Sequence, residues 1–404
     1  MAADATTQRI RHDIAEAARS ALRAAGRALN RAALAATDVT PANHATPSSS
    51  ALTSRGRILI VAPSWVGDAI LSEPLVARLR GTQGDTGIDV LAPAWCAPVY
   101  ARMRGIGRIV ESTLRHGRVD WAQRRALART LSTQGYVRAL ILPNSWKSAL
   151  VPWLARIPRR TGYVGEMRWG IVNDLRRLDR SALPRLVERY AALAVGPGEA
   201  APAATAPNLV PDPENRDAAV RALGLRVDGG IAILCPGAEF GPAKRWPPEH
   251  FADLARKFLD DGLQVWLLGS PNDKSPAEAV LAAAGGAGGA IRDLSGRTDL
   301  GTAIDLLSLA SIVVSNDSGL MHAAAAVGAP LVALFGSSSP AYTPPMSAAA
   351  KIARIEIACS PCFKRECPLG HFKCMRDLEP RAVYDLARAT LHPRRTVADA
   401  RPAQ

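Results

Sequence analysis

The sequence predicts an α/β fold of two tandem halves, each a parallel, doubly wound, Rossmann-like sheet. Three observations predict it. From Arg57 onward, short runs rich in Val, Ile and Leu alternate with helix-length segments, the pattern of strands joined by helical crossovers. The alternation pauses at 196–213, GPGEAAPAATAPNLVPDP, whose Pro, Ala and Gly content reads as a connection, and then restarts. Several strand candidates end in Gly, Pro, Asn or Asp, at the carboxyl ends where such sheets place their ligands.

In order along the chain, residues 1–55 form a basic extension. RIRHDIAEAARSALRAAGRALNRAALAA spaces Ile10, Ile14, Ala18, Leu22, Ala25 and Leu29 near a helical period. That face is mostly alanine, so a dispensable extension competes with a membrane-surface helix. The first folded half, 56–195, has strand candidates RILIVAP, IDVLAP, RIVES and RALILP, with helices expected over 68–80, 96–103 and 121–133. After the connection, the second half, 214–391, has IAILCPG, QVWLLGS, SIVVSND and PLVALFG, with helices over 248–261, 276–284, 300–310 and 318–327. A short tail, 392–404, closes the chain. No apolar run reaches the length of a membrane span and the N-terminus lacks a signal-like apolar core, so a cytoplasmic location is expected.

Charge is unevenly spread. Residues 56–200 hold 22 Lys and Arg against 11 Asp and Glu, a net of +11, whereas 201–404 hold 21 against 21. A field of that sign on one half attracts a polyanion: nucleic acid, an anionic membrane or a phosphorylated substrate. Aromatic content of 5% and the absence of a nucleic-acid motif disfavour the first. Within this half, WKSALVPWLARIPRR (146–160) mixes tryptophan, aliphatics and arginine, as either an interfacial segment or an internal helix–sheet face would.

Five stretches carry chemistry. VAPSWVGDAI (61–70) is a strand–glycine turn–helix junction that would suit a phosphate, except that Asp68 puts a carboxylate there. Asp68 is therefore either a base or a first-turn acid favoured by the helix dipole. CPGAEFGPAKRWPPEHF (235–251) places Lys244 as a point charge and Arg245 as a fork for a diphosphate, or both as a solvated pair. SIVVSNDSGLMHAAAAVGAP (311–330) ends a strand at Asp317, read as N-cap, so that the amides of Ser318, Gly319 and Leu320 face an anion and Gly319 admits close approach. His322, one turn on, reads as a packed histidine. LLGSPNDK (267–274) offers Asn272 and Asp273 to a ribose, or merely starts a helix. Finally, CSPCFKRECPLGHFKCM (359–375) gathers Cys359, Cys362, Cys367, His371 and Cys374; Cys362, Cys367, His371 and Cys374 are candidate structural metal ligands, set against reduced thiols in a Pro-rich loop.

Read together, WVGDAILSEPL, PGAEFGPAKRWPPEHF, SNDSGLMHAAAAVGAPLVALFGSSSP and SPCFKRECPLGHFKCM resemble the ADP-heptose:lipopolysaccharide heptosyltransferases of glycosyltransferase family 9, over about 57–391. The FGPAKRWP loop and Cys-rich tail resemble the branch that adds the second heptose. The resemblance implies a GT-B fold, with an N-terminal acceptor lobe and a C-terminal nucleotide-sugar lobe facing across a cleft. It implies inverting transfer of L-glycero-D-manno-heptose from ADP-heptose to the first inner-core heptose of Kdo2-lipid A, without a cofactor, at the anionic inner leaflet. By the same resemblance Asp68 is the base, Lys244 assists the leaving group, Asp317 contacts the sugar, Ser318, Gly319 and Leu320 hold the pyrophosphate, and Asp273 is a candidate for the ribose. Rival readings are a heptosyltransferase for another core acceptor and a sugar-nucleotide epimerase or hydrolase of similar fold.

Overall fold

Strand β1 (Arg57–Val61) is buried along all but its first residue, because its Ile-Leu-Ile-Val run lies inside a sheet covered on both faces. It pairs in parallel with β2 (Ile88–Pro93) on one side and β4 (Tyr136–Ile141) on the other. Strands β3 (Ile106–Ser112), β5 (Arg159–Tyr163) and β6 (Asp174–Arg176) complete an all-parallel sheet of order β3-β2-β1-β4-β5-β6. The computed structural model describes residues 56–391 other than 84–86, 115–118 and 201–202. The expected extension 1–55 and tail 392–404 lie outside the described residues.

The second lobe repeats this plan. Strands β7 (Ile231–Cys235), β8 (Gln264–Leu267), β9 (Ile291–Asp293), β10 (Ile312–Asn316), β11 (Leu331–Leu334) and β12 (Ala350–Ala353) form an all-parallel sheet of order β12-β11-β10-β7-β8-β9. Read from β9, the order is again third, second, first, fourth, fifth, sixth. Each sheet therefore reverses direction beside its first strand, at β1/β4 and at β7/β10, and the crevice beyond the strand ends there is where ligands sit. The expected doubly wound sheets are present. Four strands escaped sequence reading: RRTGY, DLR, IRD and AKIA are short or polar and carry no apolar run.

The helix expected over 68–80 is two helices, α1 (Val66–Leu71) and α2 (Glu73–Gln83). Pro74 cannot donate to the carbonyl of Ile70, and its ring crowds that turn, so the ladder breaks at Ser72. Ser72 covers the break, its Oγ donating to the Ala69 carbonyl at 2.6 Å. Helix α3 (Ala97–Ala101) follows a 3₁₀ turn at Ala94–Cys96. Helices α4 (Trp121–Ser132), α5 (Trp146–Leu154) and α6 (Leu186–Ala192) complete the first lobe. In α5, Ala149, Leu150, Val151 and Pro152 are buried, leaving Trp153 outward, while Arg159 and Arg160 bond to Asp174 and the Ile171 carbonyl. Segment 146–160 is thus chiefly an internal helix–sheet face.

The connection is tied to both lobes: Val210 N donates to the Arg102 carbonyl at 2.8 Å and Leu209 N to that of Ala326 at 3.0 Å. Helix α7 (Pro213–Ala222) begins where the connection ends. Helices α8 (Pro248–Asp260), α9 (Lys274–Ala284), α10 (Leu300–Leu307), α11 (Gly319–Ala326), α12 (Lys373–Arg376) and α13 (Pro380–Thr390) belong to the second lobe. No helix among the described residues is long and apolar enough to cross a membrane.

One buried carboxylate joins the lobes. Asp305 on α10 accepts Arg102 Nε and Nη2 at 2.8 and 2.6 Å, Asp212 N at 2.9 Å and Asn215 Nδ2 at 2.7 Å. Removing one partner of a buried pair strands the other charge. Asp305→Ala is expected to destabilise the protein by about 3–5 kcal/mol in urea unfolding; a loss below about 1 kcal/mol would show that the lobes hold without this clamp.

Candidate active site

Asp68 is the third residue of α1, at the switch point of the first sheet. The helix dipole favours a carboxylate there, but burial opposes the charge and wins. It lifts the Asp68 carboxyl from an ordinary 3.8 to about 6, with Lys244 pulling it down and Asp317 pushing it up. Those two residues belong to the other lobe, so Asp68 faces them across the cleft.

The approach is set by two glycines. A Cβ on Gly67 would lie 2.7 Å from His322 Cδ2, and one on Gly319 would lie 2.9 Å from Val66 Cβ and Cγ1. Helices α1 and α11 therefore approach closely through their first turns, with no room for a methyl group on either glycine. Gly319 was expected to admit a ligand; here the space beside it holds Val66. His322 is 5% exposed, and burial pushes its imidazole down to about 4, so it is neutral at neutral pH. It packs, as expected, and what it packs against is the turn that bears Asp68.

Lys244 comes from the loop after β7, in a 3₁₀ turn at Pro242–Lys244. Its Nζ donates to Asp317 Oδ2 at 2.5 Å, and the side chains are 17% and 5% exposed. Ser338 Oγ donates to the same oxygen. Asp317 is therefore not the N-cap of α11. Ser318 holds that position, with extended backbone and no capping bond from its side chain, and Leu320 follows in the first turn. The Ser318 hydroxyl instead lies 3.3 Å from Ser315 Oγ.

The lysine loop is held from three directions. Asn316 at the end of β10 accepts from Trp246 N at 3.1 Å and donates to the Pro236 carbonyl at 2.8 Å, stapling both ends of the loop. Ala243 N donates to the Arg365 carbonyl at 3.0 Å. Phe240 lies between two cations, Lys244 Nζ at 5.0 Å and Arg365 Cζ at 5.2 Å from its ring centre. Gly241 adopts φ +150°, and a Cβ there would lie 2.5 Å from the Arg365 oxygen. The Cys-rich segment also braces the loop bearing Ser338, through Phe363 N to the Ser337 carbonyl at 2.7 Å and Ser360 Oγ to the Gly336 carbonyl at 2.7 Å.

Sequence reading saw possible metal ligands in that segment. Among the described residues no group of three or more His, Cys, Asp or Glu side chains is placed to hold a metal, and all six cysteines are free. Cys367 Sγ accepts Phe372 N at 3.4 Å, His371 Nδ1 accepts Lys373 N at 2.9 Å, and Cys374 is buried beneath Gly336. Cys362 stays partly exposed.

Two other residues lie apart from the Lys244–Asp317 pair. Arg245, in extended backbone after the 3₁₀ turn, directs Nη2 to the Ala238 carbonyl at 3.5 Å. It lines a cavity of about 450 Å³ with Trp246, Pro248, Ser275, Met375 and Arg376. Asp273 closes its own turn, Oδ2 accepting Ser270 N at 2.9 Å and Ser270 Oγ at 2.8 Å. Its Oδ1 is buried without a partner, against a slot made by Gly237 and Gly269. Arg245 Nε and Ser337 Oγ are also buried and unpartnered. These three atoms follow β8, β7 and β11, so the carboxyl edge of the second sheet keeps unmet polar capacity, as a site for a polar ligand does.

Sequence reasoning missed Ser338, Asn316, Phe240 and Arg365. A run of serines directly after a buried strand, FGSSSP, is the one local signal that pointed toward Ser338.

The family described as glycosyltransferase family 9 (heptosyltransferase) matches residues 124–373. The chain is 41% identical to lipopolysaccharide heptosyltransferase 2 of Escherichia coli strain K12, over 83% of this chain and 98% of that protein. Against lipopolysaccharide heptosyltransferase 1 of Pseudomonas aeruginosa it is 27% identical, over 82% and 92%. Among solved structures, that of the E. coli ADP-heptose LPS heptosyltransferase II superposes with a TM-score of 0.75 at 40% identity, covering 83% of this chain and 98% of that one. The two facing parallel sheets are thus those of a GT-B heptosyltransferase.

Proposed function

Because the chain belongs to glycosyltransferase family 9, the heptosyltransferases, we propose that it adds the second heptose to the inner core of lipopolysaccharide, using ADP-heptose as donor. The higher identity to type 2 than to type 1 relatives supports that choice. The observation that carries the chemistry is Asp68 of one lobe facing the Lys244–Asp317 pair of the other.

Inverting transfer is one in-line displacement at the anomeric carbon. Asp68, ionised above about pH 6, takes the proton from the acceptor hydroxyl as that oxygen attacks. The bond from the anomeric carbon to the diphosphate breaks on the opposite face. Negative charge develops on the departing ADP, and Lys244 with the first-turn amides of α11 stabilises it. Asp317, itself held by the Ser338 hydroxyl, keeps the ammonium in place before the donor arrives. A phosphate beside Asp68 would be repelled, so the donor diphosphate belongs with the second lobe and the acceptor with the first. Asp273 Oδ1 and the neighbouring unpartnered groups are available to the nucleoside. On this reading the cations are protein groups and no bound metal is needed.

The acceptor is an anionic glycolipid held in a membrane leaflet. The net +11 of residues 56–200 draws the first lobe toward that surface, so we place the enzyme peripherally on the cytoplasmic face. The test is purified enzyme with ADP-heptose and Kdo2-lipid A acceptors bearing zero, one or two heptoses. Transfer to the one-heptose acceptor alone is the expected result. ADP release at the same rate with and without acceptor would instead mark a hydrolase or epimerase.

A further inference from the structure

Two tryptophans beside Asp68 have no part in the core or in the chemistry derived above. Trp65 is the N-cap residue of α1, three positions before Asp68. Trp95 lies in the turn that follows β2, the parallel neighbour of β1. The two strand ends are stapled together: Trp95 Nε1 donates to the Ser64 carbonyl at 2.9 Å, and Cys96 Sγ approaches the same oxygen at 3.6 Å. The loops are fixed, yet the indoles stay 46% and 54% exposed. Large apolar surfaces held rigidly outward at the mouth of a polar site mark a place where something flat and partly apolar binds.

We propose that Trp65 and Trp95 form an acceptor subsite, a ledge that takes the C–H face of the acceptor sugar while one of its hydroxyls reaches Asp68. The proposal rests on the transfer reaction given above. A sugar ring fits because it has what the place requires: an apolar face of C–H groups and, at its edge, hydroxyls for a neighbouring base. An acyl chain has no hydroxyl to offer Asp68. A nucleotide base could stack on indole, but its diphosphate would lie against the Asp68 carboxylate, and the unmet polar atoms that suit a nucleotide are in the other lobe. Tyr342, 37% exposed, is covered by Arg189 at 4.8 Å from its ring centre, and burial and then the Asp68 carboxylate are among the causes that raise its phenol pKa.

The test is steady-state kinetics with ADP-heptose and a Kdo2-lipid A acceptor bearing one heptose, on wild type, Trp65→Ala, Trp95→Ala and Trp95→Phe. Each alanine variant is expected to raise the acceptor KM about tenfold, with the donor KM unchanged within twofold. Trp95→Phe restores most of the acceptor affinity, because a phenyl ring keeps a flat apolar face. It cannot donate to Ser64, so a purely structural role for Trp95 would leave it as impaired as the alanine variant. Failure of wild type to transfer heptose sinks the parent reaction. Normal wild-type transfer with an unchanged acceptor KM in both alanine variants, or equal rises in donor and acceptor KM, overturns the ledge.

Discussion

Asp68→Asn lowers kcat at least about 100-fold while the dissociation constant for ADP stays within about threefold of wild type. The amide keeps the size of the side chain but cannot accept a proton, so the loss falls on the chemical step. The second signature is in pH. Burial lifts the Asp68 carboxyl to about 6, so wild-type kcat/KM rises with pH up to about 6 and levels above it, and the variant lacks that limb. Stability moves the other way. An acid whose folded pKa is raised contributes stability that is fully present below its unfolded value, near 3.8, and lost as pH rises through about 6. The variant escapes that loss, so at pH 8 it should be more stable than wild type by about 3 kcal/mol in urea unfolding, with a gain of well under about 1 kcal/mol at pH 4. Normal turnover with weakened ADP binding would remove Asp68 from the role of base.

The second large effect is at Lys244. Lys244→Ala should lower kcat about 100- to 1,000-fold, the loss typical of one preorganised donor to developing charge, with the acceptor KM within about threefold of wild type. Lys244→Arg should not restore it. The ammonium meets a single Asp317 oxygen and sits beside the Phe240 ring, and a planar fork cannot reproduce that point contact. Wild-type turnover in the alanine variant would exclude the leaving-group role. Because Asp317 is only 5% exposed, its charge is left buried with Ser338 as its remaining partner in the alanine variant. Thermal unfolding measured alongside separates lost fold from lost chemistry.

These residues also show what the linear pattern could and could not reveal. The central strands were legible because a parallel sheet covered on both faces demands continuous apolar runs, as in Ile231–Cys235 and Ile312–Asn316. Their carboxyl ends followed, and with them the loops of Asp68, Lys244 and Asp317. Short polar strands such as Asp174–Arg176 were not legible, since they are held by neighbours rather than by their own hydrophobicity. The break at Ser72 is marked in the sequence only by Pro74, inside a helical period that runs on through it. Asp317 looked like a cap because Asp before a helix usually is one; a lysine 73 residues away claims it instead.

What the sequence determined by itself is two parallel sheets, where each reverses direction, and which loops therefore carry chemistry. Those features follow from local periodicity and from the need to bury apolar strands. Only the tertiary structure decided which groups face each other. Val66 and Gly67 meet Gly319 and His322 without a methyl group to spare, and that contact brings Asp68 opposite Lys244 and Asp317. Trp65 and Trp95, meanwhile, stay exposed at the mouth. The physical reason is that a lobe-to-lobe contact is fixed by shape and burial between segments far apart in the chain, and no local repeat encodes it.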